Sequence, residues 1–161
     1  MLCVRCAEAD GSKITRNPHA SMEAAHFFQM LAEAGGDVAE HERWDPQAHT
    51  WVGEEVEGLV APRRDRPDGV VRDAAGDVVR VWFYHGVHVH GYPPSHPKHS
   101  SWLKLLKCPA EEAYAKTMES MERFRAAGYE VRFVWSHEFV PFLRERNVRP
   151  VRELLSIVHW L

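Results

Sequence analysis

The chain has 161 residues, 45% hydrophobic and 27% charged. That is enough for one compact domain, too little for two ordinary ones, and too apolar for disorder by composition. The net charge of −3 is uneven: residues 1–60 hold 4 Lys/Arg against 11 Asp/Glu, and residues 61–161 hold 16 against 12. The second part, with a balance of +4 against −7, is therefore the one whose local potential would favour a phosphate backbone, although a solvated surface gives the same count. No apolar run approaches a membrane span, and the first residues, which are not charged-then-apolar, give no expectation of a leader. Three cysteines, an odd number, argue against a disulfide framework. The expectation is an intracellular protein of a reducing compartment, in cytoplasm, nucleoid or nucleus.

Residues 1–20 read as a polar N-terminal segment marked by Cys3-x-x-Cys6, and residues 21–161 as a single domain. Ser21 is placed as an N-cap for a helix over Met22–Ala34, with Ala25, Phe28 and Leu31/Ala32 on one face and Gly35-Gly36 ending it. Val38–Trp44 and Thr50–Val52 suit short strands. From Arg66 to His90 a β-hairpin is expected. Pro67-Asp68 opens it, Asp73–Asp77 turn it with Gly76 free to take positive φ, and Val79, Val81 and Phe83 alternate along the second strand. That strand is expected to run on through His85 to His90, with His88 and His90 on one face and His85 on the other. Gly91–Lys98 is a proline-rich loop, and Ser100–Lys107 suits a helical turn. Pro109 sits where first-turn helix prolines do, ahead of a helix to Ala127 with Tyr114, Met118 and Met121 in the core. Glu130–Trp135 alternates as a strand, and the end reads as helical from about Val151. Helix, strand, hairpin, helix, strand, helix implies an α/β protein with a small mixed sheet in two or three layers.

The hairpin carries the chemistry. It sets an acidic residue, Asp68, on one strand against imidazoles at the end of its neighbour. A carboxylate that holds a divalent cation beside a neutral histidine that takes a proton from water suits metal-assisted cleavage of a phosphodiester.

Four features in order resemble the very-short-patch repair (Vsr) branch of the restriction-endonuclease-like, or PD-(D/E)XK, nucleases. They are a glutamate on an N-terminal helix (Glu23), the R-P-D strand start Arg66-Pro67-Asp68, the strand end Phe83-Tyr84-His85-Gly86 with a further His90, and Gly128-Tyr129-Glu130-Val131-Arg132-Phe133-Val134-Trp135 after a helix. The resemblance covers about Ser21 to Phe139. It implies a restriction-endonuclease-like mixed central sheet flanked by helices and a metal-dependent DNA endonuclease, a nicking enzyme of the DNA-repair type using Mg²⁺ or Mn²⁺, as monomer or homodimer. It implies that Asp68 and the Tyr84 carbonyl hold the metal and that His90 is the base on water. His85 would support the phosphate or leaving group, and Glu23 would orient water or the base. The chain departs from that pattern at His88 and Val89, where the family wedges aromatic residues into DNA. Val87 and His137 replace two zinc-binding cysteines of the family.

Each residue also has a structural reading. Asp68 suits a strand-start cap, and Glu23 suits a first helical turn by its charge alone. Candidate structural zinc ligands are Cys3, Cys6, Cys108 and His137, with His96 and His99 as further choices. Cys3 and Cys6 read equally as free thiols. Arg63, Arg64, Arg66, Lys98 and Trp102 suit DNA contact, with Lys104, Lys107 and Tyr92 as neighbours, or a solvated face and core aromatics. His88 stays open, as a DNA contact or a surface histidine. Two other functions remain: a catalytically degenerate nuclease fold kept for DNA binding or structure, and a zinc-stabilised interaction module.

Overall fold

A computed structural model describes residues 22–41, 43–45, 47, 50–52, 58–60, 65–145 and 149–161. Cys3, Cys6, Ser21, Arg63 and Arg64 lie outside these. The elements are α1 (Met22–Glu33), β1 (Glu40–His41), β2 (Arg43–Asp45), β3 (Thr50–Val52), β4 (Gly69–Arg72), β5 (Val78–His85), α2 (Val87–His90), β6 (Trp102–Leu103), β7 (Cys108–Pro109), α3 (Ala110–Ala126), β8 (Glu130–Trp135), α4 (Ser136–Arg144), a 3₁₀ helix (Val151–Ile157) and β9 (His159–Trp160). A five-stranded sheet runs β1-β4-β5-β8-β9. Its pairs are antiparallel except β5 with β8, which are parallel. Parallel neighbours need a crossover, and α3 supplies it. The protein is thus mixed α/β, a mixed sheet flanked by helices.

The pleat sorts the side chains of β5 and β8 into two cores. Val81, Phe83, Val131, Phe133 and Trp135 face α3, where Met121 and Phe124 meet them. Trp82, Tyr84 and Val134 face the other way, onto Phe27, Phe28 and Leu31 of α1 and Phe139 and Phe142 of α4. With helices on both faces β5 is buried from Val81 to His85, and Val79, expected inside, is 42% exposed. The alternation expected of a half-buried strand fails for that reason.

The hairpin turn follows its sequence. Asp73 Oδ1 accepts the backbone N–H groups of Ala75 (2.9 Å) and Asp77 (3.0 Å), and Gly76 takes φ 88°. On α1 the buried face is Ala24, Phe27, Phe28, Met30 and Leu31. It is rotated from the expected Ala25 and Ala32 because the larger side chains claim the sheet. On α3 the buried residues are Ala110, Ala113, Thr117, Met121 and Phe124, with Tyr114 and Met118 packed at the margin.

Three expectations are corrected. The second hairpin strand stops at His85 and the chain turns helically over Val87–His90, so the strand alternation of His88 and His90 does not apply. Residues 102–109 form a small hairpin rather than a helical turn. The C-terminal segment is a 3₁₀ turn followed by edge strand β9, not one helix. Helix α4 escapes the sequence reading because Pro141 lies inside it.

Candidate functional site

Asp68 stands one residue before β4. Its N–H donates to the Trp82 carbonyl (2.9 Å), and its Oδ2 accepts the Tyr84 N–H (2.8 Å). The carboxylate thus stands in for the backbone acceptor that an extension of β4 would offer to the Tyr84 N–H of β5. In a strand the N–H and C=O of one residue project to the same edge, so the Tyr84 carbonyl is aimed at the edge where Asp68 sits. Burial pushes the Asp68 carboxyl up to about 7, against the opposing pull of the Tyr84 N–H. Among the described residues no cationic side chain offsets that burial, and a bound cation would.

His85 ends β5 on the α3 face and is buried. Its Nε2 lies 3.1 Å from the Met121 sulfur. A thioether only accepts, so Nε2 carries the proton. Nδ1 is then a lone pair, buried with no hydrogen-bond partner. Gly86 follows, and its carbonyl accepts the N–H groups of Val89 and His90, each at 3.0 Å. This single turn folds His90 back over His85, their ring centroids 4.6 Å apart.

Thr117 on α3 orients His90. Its hydroxyl donates to the His90 carbonyl (3.3 Å), and His90 Nδ1 lies 3.1 Å from the same oxygen. When the hydroxyl proton goes to that carbonyl, the oxygen accepts from Nδ1–H and Nε2 keeps the lone pair. Burial lowers the His90 imidazole to about 4. Burial first, and His90 beside it second, hold His85 well below the ordinary histidine range. Both rings are neutral at pH 7.

Asp68, His85 and His90 line one cavity of about 620 Å³, with Arg66, Lys107, Cys108, Lys116, Thr117 and Met121 among its other walls. Sequence reading nominated Asp68, His85, His90 and Arg66 for the site. It missed Thr117, Met121 and Lys116 as site walls and gave Lys107 only as a neighbouring cation. The missed signal is the polar Thr117 on the buried face of α3, which a core stripe does not need.

The remaining nominated residues fall elsewhere. Glu23 accepts the Tyr84 hydroxyl (2.9 Å) on the opposite face of the sheet. Burial and that carboxylate keep the phenol neutral. His88 is exposed outside the cavity lining, as are Lys98 and Trp102. Cys108 is a free thiol in the cavity wall. His137 is not in that wall: it packs on His96 (4.7 Å between centroids) and Trp135 (6.3 Å), with its Nδ1 buried and without a partner. His99 Nδ1 lies 2.6 Å from the Tyr92 carbonyl. Among the described residues no three His, Cys, Asp or Glu side chains stand close enough to hold a metal ion together, and no helix is long and apolar enough to cross a membrane.

No family model, curated protein or solved structure matches this chain.

Proposed function

We propose that this protein is a metal-dependent DNA endonuclease, a nicking enzyme with the restriction-endonuclease-like architecture that the Vsr resemblance implies. The observation that carries the reading is the shared cavity of Asp68, His85 and His90, with both imidazoles neutral and the His90 lone pair assigned to Nε2. The donor set suits Mg²⁺ or Mn²⁺, which take few protein oxygens and keep the rest of their shell for water and phosphate. Asp68, buried with no cation beside it among the described residues and with its Oδ1 free of the Tyr84 hydrogen bond, would hold the ion together with the Tyr84 carbonyl. When bound, the ion polarises the phosphoryl oxygen and offsets developing charge.

The chain's own groups do the rest. His90 Nε2 takes the proton from water as the water oxygen bonds to phosphorus. The bond from phosphorus to the leaving oxygen breaks, and that oxygen is protonated from solvent. His85 stays neutral as His90 becomes charged, since two imidazoles this close do not both ionise. Its place in the wall beside His90 supports a role next to the phosphate. Arg66 and Lys107 supply positive charge at the rim.

The test is cleavage of supercoiled plasmid in Mg²⁺, Mn²⁺ or EDTA by the wild type, Asp68→Ala and His90→Ala. Nicking that needs metal and is lost in both folded variants is expected. Undiminished cleavage by Asp68→Ala, in preparations free of host nuclease, would sink the assignment.

A second reading is a catalytically degenerate nuclease fold that binds DNA or serves a structural role. It is favoured by a metal position with one carboxylate and, among the described residues, no three-ligand group. Folded wild type that binds DNA with salt-sensitive affinity and cleaves under neither metal selects it.

A further inference from the structure

We propose that the cavity takes one unpaired DNA strand at a time: the substrate is single-stranded DNA, or an unpaired stretch within a duplex, and the paired duplex is excluded. The inference rests on the reading of this cavity as a phosphodiester site and names its substrate.

The reacting groups are set back from the surface. His85 is 2% exposed, and Asp68 and His90 are half-buried. A scissile phosphate has to come within hydrogen-bond reach of His90 and of an ion on Asp68, so the strand that carries it has to enter. The space holds about 620 Å³, inside the range of roughly 300–1,000 Å³ that takes one small molecule. That is the scale of a nucleotide, not of a base pair with two backbones. A paired strand arrives with its complement, stacked in a rod that stays stiff over about 150 bp, and such a rod does not enter.

Among the described residues the walls are tied to one another. Leu106, Lys107 and Cys108 of the β6–β7 hairpin form one. The Leu103 carbonyl accepts the Lys107 N–H (2.8 Å) and the Ser101 carbonyl accepts the Ala110 N–H (2.8 Å), so the hairpin is closed where it runs into α3. Ala113, Thr117 and Met121 of α3 form a second wall. Asp65 and Arg66 form a third, and Arg123 of α3 donates from Nε to the Asp65 carboxylate (2.8 Å). Opening the mouth wide enough for a duplex would break these ties.

Charge agrees with the room. The lining holds as many carboxylates as cations, Asp65, Asp68 and Glu112 against Arg66, Lys107 and Lys116. Two of the carboxylates are answered within the protein, Asp65 by Arg123 and Glu112 by Lys116. A duplex brings one negative charge per about 1.7 Å of its axis and a single strand one per about 3.4 Å. A wall with both signs in equal number suits the sparser chain.

The experiment compares three DNAs of one sequence: a single strand, its fully paired duplex and a duplex with a central unpaired bubble. Cleavage by the full chain in Mg²⁺ or Mn²⁺ is mapped to the nucleotide. The single strand and the bubble should be cut, with cuts confined to unpaired positions. The paired duplex should be cut at least about tenfold more slowly, since its strand must first unpair. A second readout needs no activity. In EDTA the Cys108 thiol of the cavity wall is alkylated with iodoacetamide, and modification at that residue is followed by mass spectrometry of the digested protein. The single strand should slow it severalfold, and the duplex at equal nucleotide concentration should not.

Paired duplex cut as fast as the single strand overturns the proposal and leaves the nuclease standing. Cys108 shielded by both DNAs alike, or by neither, also overturns it. Shielding by the single strand alone, without cleavage of any DNA under either metal, keeps the strand site and removes the nuclease.

Discussion

Thr117 is a positioning residue: it touches His90 at two atoms and nothing in the proposed reaction directly. Its hydroxyl decides which imidazole nitrogen is bare. Thr117→Val keeps shape and removes that choice, so nicking should fall by about tenfold, the worth of one hydrogen bond of roughly 1.4 kcal/mol. Thr117→Ser should restore it. Nitrogen shifts of the His90 ring in the metal-free protein check the cause. They should report an Nδ1–H tautomer in wild type and Ser, and a mixture in Val. A mixture in wild type would remove the role. Asp68 gives a second residue-scale prediction. A carboxyl raised to about 7 binds its proton more tightly in the folded chain than in the unfolded one. Its contribution to stability is fully present below the unfolded value of 3.8 and is lost as pH rises through about 7. In EDTA, Asp68→Asn should therefore raise the melting temperature more at pH 8 than at pH 5. A cation competes with that proton. The acidic limb of nicking should move to lower pH as Mg²⁺ is raised, and a limb indifferent to Mg²⁺ would separate Asp68 from the metal.

At the scale of elements, the site depends on where the chain turns after β5. Gly91 closes the α2 turn at φ 76°, and a Cβ there would lie 2.1 Å from the Ala110 carbonyl oxygen. Gly76 in the β4–β5 turn has φ 88° and open space around it. The two alanine substitutions should separate conformational cost from collision. Gly76→Ala should lose about 1–2 kcal/mol, the left-handed penalty alone. Gly91→Ala should lose clearly more in urea unfolding, and it should reduce nicking because α2 carries His90 against α3. Equal losses would mean that α3 yields at Ala110 without disturbing the site.

The whole molecule places its chemistry on one side of the sheet. Asp68, His85 and His90 face α3, while α1 and α4 close the other side around Phe27, Phe139 and Phe142. Phe139 is fully buried in that far layer. Phe139→Ala should cost about 3–5 kcal/mol of unfolding free energy, yet leave nicking near the wild-type rate at a temperature where the variant is folded. Tyr84 links the two sides of the sheet, with its N–H on Asp68 and its hydroxyl on Glu23. Loss of nicking in folded Phe139→Ala would show that the far layer sets the cavity through that residue.

What the sequence determined by itself is what neighbours in the chain decide. Helices α1 and α3 and the Asp73–Asp77 turn rest on contacts within a few residues, whereas Asp68, His85 and His90 are nominated only from the order of motifs. Tertiary structure decided what depends on partners far along the chain. Val87–His90 reads as a strand by alternation, yet it turns helically, because β5 ends where Gly86 accepts two N–H groups and α3 receives His90. Thr117 and Met121 lie more than 25 residues from the histidines they touch, and no local pattern links them. The raised carboxyl of Asp68 and the lowered imidazoles exist only because two helical layers exclude water from the end of β5. Desolvation is a property of the assembled surroundings, and no residue carries it alone.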